Sequence, residues 1–541
     1  MAPTIATPAT APTTAPTTAD TGGGASAPLR AASLYRAVWR WHFYAGLLVL
    51  PFLAWLALTG GAYLFQREID GWFHRDLLRV ETPVPPEAAR PPGVLVAAAL
   101  AARPGQWFRY TPAAAPGDSA SVGIATADGQ RVAVYVDPGS ARVLGQLPER
   151  GTLSWQIRRL HSLKVIGPVA RGVIEMAAGW AVVLVATGLY LWWPRGRRGG
   201  GVVTVRGRPA ERVFWRDLHA VLGLGVGGIL AFLALTGMPW SVLWGAQVNA
   251  WANGSHWGYP AGVRVQVPMS AVPVADTLAV PWSLQQARVP VSSPRAADDA
   301  KAGGHEGHGG DGGHAGHEGH AGHGGHDGHE GHGGPAVAGE HEGHGAPAAA
   351  PAGPQPMPAV PPIGLDAAMA AFTRLGLAPG FSVAAPQGAG GVYTASAYPA
   401  DLGGQRVVHL DQYSGRPLLD MGYADYGPVA RGLEWGINVH LGQQYGVANQ
   451  IVLAVACAGI VLLCAAGAVA WWKRRPAGSL GVPPLPAQPR ALWVVAGMLA
   501  VAGVLLPLLG LSLLCMLALD TAWQARQARR RRAEKAQAPR R

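Results

Sequence analysis

The sequence predicts an α-helical membrane protein built on a duplicated two-helix unit: four core transmembrane helices plus a C-terminal apolar segment, with two external α+β domains between the helices. Three observations carry this prediction. Apolar residues make up 49% of the 541 and gather in a few long blocks. Two pairs of those blocks repeat one another in register. Each copy also places a histidine at the same step, His42 and His219 in one pair and His161 and His440 in the other.

The register is constant over long stretches. From His42 the chain reaches Phe52-Leu53-Ala54-Trp55-Leu56-Ala57-Leu58-Thr59-Gly60, and from His219 it reaches Ile229-Leu230-Ala231-Phe232-Leu233-Ala234-Leu235-Thr236-Gly237, at an offset of 177 throughout. Gly46 and Gly223 each follow their histidine by four residues. In the second pair, Gly167, Gly188 and Trp192-Trp193 lie six, twenty-seven and thirty-one residues after His161, and Gly446, Gly467 and Trp471-Trp472 fall at the same steps after His440. The hexapeptide Gly167 to Gly172 also recurs at Gly427 to Gly432. That second frame breaks the glycine and tryptophan matches, so it is set aside.

Taken in order, residues 1–33 are rich in Ala, Pro and Thr and read as a disordered tail. They lack a charged n-region, an h-region and a cleavage site, so the first span is expected to stay as an anchor. Transmembrane segments are expected over 34–65, 158–193, 217–246, 436–472 and 491–520. Each has the length to cross a hydrocarbon core of roughly 30 Å at about 1.5 Å per residue. The intervening segments are an external domain at 66–157, a basic loop at 194–216, a second external domain at 247–435, a linker at 473–490 and a basic tail at 521–541.

Both external domains read alike. In the first, Gly93 to Ala102 is an apolar helix ended by Arg103-Pro104-Gly105, and Arg131 to Val136 is an alternating strand closed by Asp137-Pro138-Gly139 before Arg142 to Gly145. In the second, Leu365 to Leu375 is a helix, Gly380 a turn, and Gly391 to Ala397 and Gln405 to Leu410 are strands. Asp137 and Asp411 close turns and need no other role.

Orientation comes from the short loops. The 194–216 loop holds seven arginines against Glu211, and Lys473, Arg474 and Arg475 follow the fourth span. The positive-inside rule puts both in the cytoplasm with the N-terminus, and both large domains in the periplasm. The net charge of +12 resides mostly on these flanks and the tail, so nucleic-acid binding is excluded as its reading. The fifth segment conflicts with the rule: one crossing would strand Arg529 to Arg532 outside, unless the segment folds back near Pro507.

Four histidines at matched boundaries suit the clamping of haem between helices. Intramembrane ionisable groups default to function. Two axial imidazoles fill both open positions of haem iron and leave an electron-transfer centre. His42 and His219 begin spans that leave the cytoplasm, while His161 and His440 precede spans that return to it, so the first two pair near one face and the others near the opposite face. A continuous helix of thirty-one residues from His161 to Trp192 would measure about 46 Å. Gly46 and Gly223 would let a porphyrin approach the backbone or let helices pack closely. Arg40, Arg158 and Arg216 are either partners for haem propionates or ordinary interfacial charges.

A second constellation spans Gly304 to Gly345. His305, His308, His314, His317, His320, His323, His326, His329, His332, His341 and His344 are interleaved with Gly, Glu and Asp. This stretch, within an insert at 301–345, has too few apolar residues for a core and reads as a disordered sink for zinc, copper, nickel or cobalt, or as a solvated repeat. Cys457, Cys464 and Cys515 lie in apolar spans without a CxxC and read as buried thiols. No phosphate loop, GxGxxG, HExxH or Ser-His-Asp pattern stands out.

The strand-turn Val134-Tyr135-Val136-Asp137-Pro138-Gly139-Ser140-Ala141-Arg142-Val143-Leu144-Gly145 resembles, together with the helix ended by Pro104-Gly105 and the spans opened by His and closed by Trp192-Trp193-Pro194-Arg195 or Trp471-Trp472-Lys473-Arg474-Arg475-Pro476, the PepSY-associated transmembrane family of bacterial inner-membrane proteins. The resemblance covers both copies, from about Leu34 to Pro476. It implies external domains of PepSY type, and a place among iron-regulated membrane proteins, some of which are ferric-siderophore reductases with two b-type haems. The expectation is an inner-membrane di-haem b protein, a haem-dependent oxidoreductase that passes electrons from a quinol or a cytoplasmic reductase to a ferric chelate or siderophore. Two alternatives stay open: a membrane protein that only binds divalent metal, and a PepSY-type regulator of a periplasmic protease. One scaffold hosts several functions.

Overall fold

The computed structural model describes residues 27–194, 201–255, 257–258, 268–293, 360–486 and 488–537. The first half runs α1 (Ala27–Tyr63), α2 (Gln66–Phe73), α3 (Arg75–Leu78), α4 (Pro92–Ala102), β1 (Gln106–Thr111), β2 (Ala120–Ala125), β3 (Arg131–Val136), β4 (Val143–Pro148), α5 (Leu153–His161) and α6 (Pro168–Trp192). The second runs α7 (Arg212–Gly237), α8 (Trp244–Gly254), β5 (Met269–Pro273), β6 (Arg288–Pro290), α9 (Gly364–Arg374), β7 (Ser382–Ala384), β8 (Val392–Ala397), β9 (Arg406–Asp411), β10 (Pro417–Gly422), α10 (Pro428–His440) and α11 (Gly446–Trp472), and is followed by α12 (Pro489–Leu505) and α13 (Pro507–Gln537). The histidine-rich insert and residues 1–26 lie outside the described residues. α1 begins at Ala27, so the end of the stretch read as tail is helical.

Five helices among the described residues are long and apolar enough to cross a membrane. This is a multi-pass helical membrane protein that also carries a large sheet. α1, α6, α7 and α11 form a closed four-helix bundle, each packed on two neighbours in that order. Small residues let the backbones approach: Ala45, Ala57, Ala177, Ala181 and Ala234 are buried in the seam. Where lipid is as apolar as the side chains, such close packing is what holds helices together.

The C-terminal segment takes the fold-back alternative. Gly503 and Gly510 touch, a Cβ on Gly503 falling 2.8 Å from the Gly510 Cα, whereas seven residues of continuous helix would separate them by about 10 Å. α12 and α13 therefore form a hairpin turning at Leu506-Pro507, laid against α1 and α6. Its two ends are tied to one residue: Arg40 of α1 bonds the Pro483 carbonyl before the hairpin and the Asp520 carboxylate on its second helix, both at 2.8 Å.

The two external modules of the sequence reading turn out to be one. An eight-stranded antiparallel sheet runs β10-β9-β8-β7-β1-β2-β3-β4, each copy supplying four strands. The halves meet where β1 pairs β7, Arg109 opposite Ala384 and Tyr110 opposite Val383. Two separate modules would each leave an unpaired strand edge, and pairing them removes both edges. The helices join too, since α4 and α9 lie on the same face and the Gly93 N–H donates to Asp366 at 2.7 Å. One core runs under both, with Leu95, Ile124, Phe372 and Leu410 fully buried. Each such side chain contributes about 1.5–3 kcal/mol. Asp137 and Asp411 do close turns, accepting from the N–H groups of Gly139 and Ser414 respectively. Cys457 and Cys464 are buried, but Cys515, on α13 of the hairpin, is exposed.

Candidate functional site

The helix expected to run unbroken from His161 to Trp192 is interrupted. α5 stops at His161 and α6 starts at Pro168, with Gly167 at φ +126; α10 stops at His440 and α11 starts at Gly446, with Gly442 and Gly446 at φ +73 and +58. These left-handed conformations favour glycine. The matched glycines six residues after each histidine are thus chain reversals. The 46 Å count does not apply, and both histidines fold back onto the bundle.

They land on matched residues. The Nδ1 of His161 lies 2.9 Å from the Thr59 hydroxyl of α1, and that of His440 lies 2.9 Å from the Thr236 hydroxyl of α7. At the other end, the Nδ1 of His42 lies 2.8 Å from the Thr187 hydroxyl of α6. The His219 Nδ1 lies 3.1 Å from the Leu463 carbonyl of α11, because the residue matching Thr187 is Ala466. After each of these positions comes a glycine under the imidazole. A Cβ on Gly60, Gly188, Gly237 or Gly467 would stand 3.1–3.5 Å from the ring of His161, His42, His440 or His219 respectively. The sequence reading registered Thr59-Gly60, Thr236-Gly237, Gly188 and Gly467 as repeat markers but missed that each seats the histidine of another helix. That four such dipeptides, Thr-Gly three times and Ala466-Gly467 once, accompany four histidines was the available signal.

The hydroxyls fix the tautomers. Each of the three threonines donates its one proton to a carbonyl a turn back, Trp55, Val183 or Phe232, at 2.7 Å. Each can therefore only accept from its histidine. The Leu463 carbonyl is an acceptor by nature. All four Nδ1 atoms thus carry the proton, and all four Nε2 atoms keep a lone pair available to a metal.

The pairing follows the sequence reading. The rings of His42 and His219 stand 6.5 Å apart between centroids, with planes crossed at 82°. Two imidazoles on one iron through nitrogen bonds of about 2 Å bring ring centres roughly 6 Å apart, so this donor set fits bis-histidine haem. His161 and His440 sit on the matched Thr59 and Thr236 of α1 and α7, at the other end of the bundle. His42 to Thr59 and His219 to Thr236 are each seventeen residues of one helix. That is roughly 26 Å between the two levels, near the thickness of the hydrocarbon core.

A Cβ on Gly46 or Gly223 would stand 3.9 or 3.8 Å from the Leu184 or Leu463 side chain, ordinary contact distance. Arg40 is committed to Asp520 and Arg216 to Asp217, and Arg158 lies over the Trp155 ring at 4.6 Å. No group of three or more His, Cys, Asp or Glu that could hold a metal ion occurs among the described residues.

Residues 39–474, which carry the duplicated helix pairs and the composite sheet, match the family model described as PepSY-associated TM region. The chain belongs to that family. The match spans both histidine pairs and the whole sheet, and it ends before the α12–α13 hairpin. No curated protein matches this PepSY-associated chain.

Proposed function

We propose that this PepSY-associated protein is a di-haem b electron carrier of the bacterial inner membrane that reduces ferric chelates, siderophores among them, in the periplasm. The observation that carries the reading is the set of four Nδ1-protonated imidazoles, two at each of two levels. His42 and His219 hold one haem at the end of the bundle where the basic loops lie, and His161 and His440 hold the other at the sheet end. Haem held this way supplies one-electron oxidation and reduction without an open coordination position. The positive-inside rule supports a cytoplasmic basic end, and a C-terminal segment that folds back, so that the arginine-rich tail returns to that end, agrees with it. A two-electron donor, quinol or reduced flavoprotein, loses its electrons singly. Each converts one Fe(III) to Fe(II) in the chelate, and a quinol also releases two protons. Three threonine hydroxyls and the Leu463 carbonyl hold the imidazole protons, and the glycines beneath the rings leave the imidazoles the room a Cβ would take. The histidine-rich insert adds a weak store of divalent metal on the same side.

Haem content tests this. Purified protein should show a b-type spectrum with two haems per chain. His42→Ala or His219→Ala should lose one and keep the other, and His161→Ala or His440→Ala should lose the complementary one. Protein without haem absorbance, or loss of both haems from every single variant, would overturn the reading.

A further inference from the structure

Glu434 is fully buried in α10, six residues before His440 on one unbroken helix, so about 9 Å of helix axis separates them. Its carboxylate accepts from the Ser283 N–H at 2.7 Å and from the Tyr398 hydroxyl at 3.4 Å, and no cation pairs with it among the described residues. Burial pushes its pKa up, and those hydrogen bonds oppose the rise only in part. Asn438, one turn later, presents a buried Oδ1 without a hydrogen-bond partner among the described residues, an acceptor of the kind a protonated carboxyl satisfies. Tyr398 leads outward, since its hydroxyl meets Glu434 while its side chain is 36% exposed. In the first copy Trp155 stands six residues before His161, so the fold does not require an acid at this place. The groups around the carboxyl leave it alone in changing charge. Tyr423, in the turn before α10, and Tyr398 are both held protonated by burial, with Arg431 and Arg158 in electrostatic reach of the two respectively. Asp401 is exposed and caps the 402–404 turn, and α7 meets α10 through Phe232 and Thr236, which do not titrate.

Resting on the di-haem reading, we propose that Glu434 is the proton partner of the His161–His440 centre: it takes up one proton when that centre gains an electron and returns it through the Tyr398 hydroxyl when the electron leaves. An added electron makes the centre more negative by one charge and repels an ionised carboxylate on the same helix. Screening is weak in a buried site, so the repulsion carries over this distance. Binding a proton cancels it. Reduction then consumes one electron and one proton and leaves a neutral carboxyl. Passing the electron to a chelate yields Fe(II), the oxidised centre, the carboxylate and one proton at the sheet end. A tyrosine hydroxyl both donates and accepts, so Tyr398 relays that proton without keeping a charge. The sign follows from linkage. Glu434 binds its proton more tightly when the centre is reduced, so protons favour the reduced form. The midpoint potential therefore rises as pH falls through the range in which Glu434 titrates, which burial places above the ordinary carboxylate range.

Redox titration in a His42→Ala background, where the sheet-end centre alone remains, isolates the effect. It is run from about pH 5 to 9, a span that reaches the highest values buried glutamates show. The midpoint should fall as pH rises, approaching a tenfold change in the reduction equilibrium per pH unit where Glu434 ionises. Glu434→Gln keeps an acceptor for the Ser283 N–H but cannot ionise, and should flatten the dependence. If that variant does not fold, the wild-type residue serves: chemical reduction in weakly buffered solution, followed with a pH indicator, should take up as much as one proton per centre, and Tyr398→Phe should slow the uptake without changing its extent. A midpoint equally pH-dependent or equally flat with Glu and Gln at 434, no proton uptake, or uptake as fast in Tyr398→Phe, each in protein that keeps its haem, would overturn the proposal and leave the di-haem reading intact. Absence of haem from wild-type protein would instead remove the reading on which it rests.

Discussion

His409 shows what a buried histidine is like when it has no opposing histidine. It is fully buried in β9, its Nδ1 lies 2.8 Å from the Thr394 hydroxyl, and its Nε2 has no hydrogen-bond partner among the described residues. Burial holds its pKa down at about 3. It is therefore neutral in the folded protein over the whole range in which an exposed histidine, with a pKa near 6.5, would charge. The unfolded chain binds the extra proton, so this residue costs nothing above about pH 6.5 and destabilises progressively as pH falls from there toward 3. The limiting slope is about 1.4 kcal/mol per pH unit for one proton. His409→Asn retains a polar group facing Thr394 and removes the titration. Thermal unfolding of the full chain in detergent should show wild type losing stability faster than the variant between pH 6 and 4, with the gap closing above pH 7. Parallel curves over that range would mean that His409 is solvated.

At the scale of elements, the α12–α13 hairpin is an addition beyond the matched family region, and its attachment is polar as well as apolar. Trp180, fully buried in α6, donates to Ser512 at 2.8 Å. Arg40, 8% exposed, holds Asp520, which also accepts from the Tyr44 hydroxyl at 2.6 Å. Removing one partner of a buried ion pair leaves the other charge uncompensated, at a cost of roughly 3 kcal/mol, whereas replacing both by apolar residues is near neutral. Asp520→Leu should therefore unfold at lower temperature than wild type, and Arg40→Met with Asp520→Leu should recover most of the loss. A double variant no better than the single one would show that the tie contributes packing alone. The fold-back was legible as one of two options, because the charged tail and Pro507 conflicted with a single crossing. What tips the choice, the contact of Gly503 with Gly510, is seven residues apart in an apolar run and has no periodic signature. α4, β3, α9, β8 and β9 were read from alternation and breakers to within a residue or two. The breaks after His161 and His440 were not, since a glycine at the start of an apolar block reads equally as part of the span.

At the scale of the molecule, duplication was legible and the joining of the copies was not. Matched offsets give the repeat, but the pairing of β1 with β7 is a contact between segments more than 270 residues apart and leaves no local mark. The closeness of His42 to His219 was legible where the sheet was not: it follows from the direction in which each span crosses, which charge and hydropathy set, whereas strand partnership depends on edges meeting in space. The joined sheet caps the bundle end at which His161 and His440 fold back, and the basic loops surround the other end, where the Lys473 ammonium donates to the Ala210 carbonyl at 2.9 Å. A molecule so polarised should conduct one way. In proteoliposomes with a quinol or flavin donor supplied at the basic end and a ferric chelate only at the sheet end, ferrous iron should form on the chelate side, at one Fe(II) per electron. His219→Ala should abolish that transfer while leaving a chemically pre-reduced His161–His440 centre able to reduce the chelate, because only the entry side is lost. The readouts are haem absorbance and ferrous-iron capture in the same vesicles. An undiminished rate in a variant shown to lack the basic-end haem would mean that electrons reach the sheet end by another route.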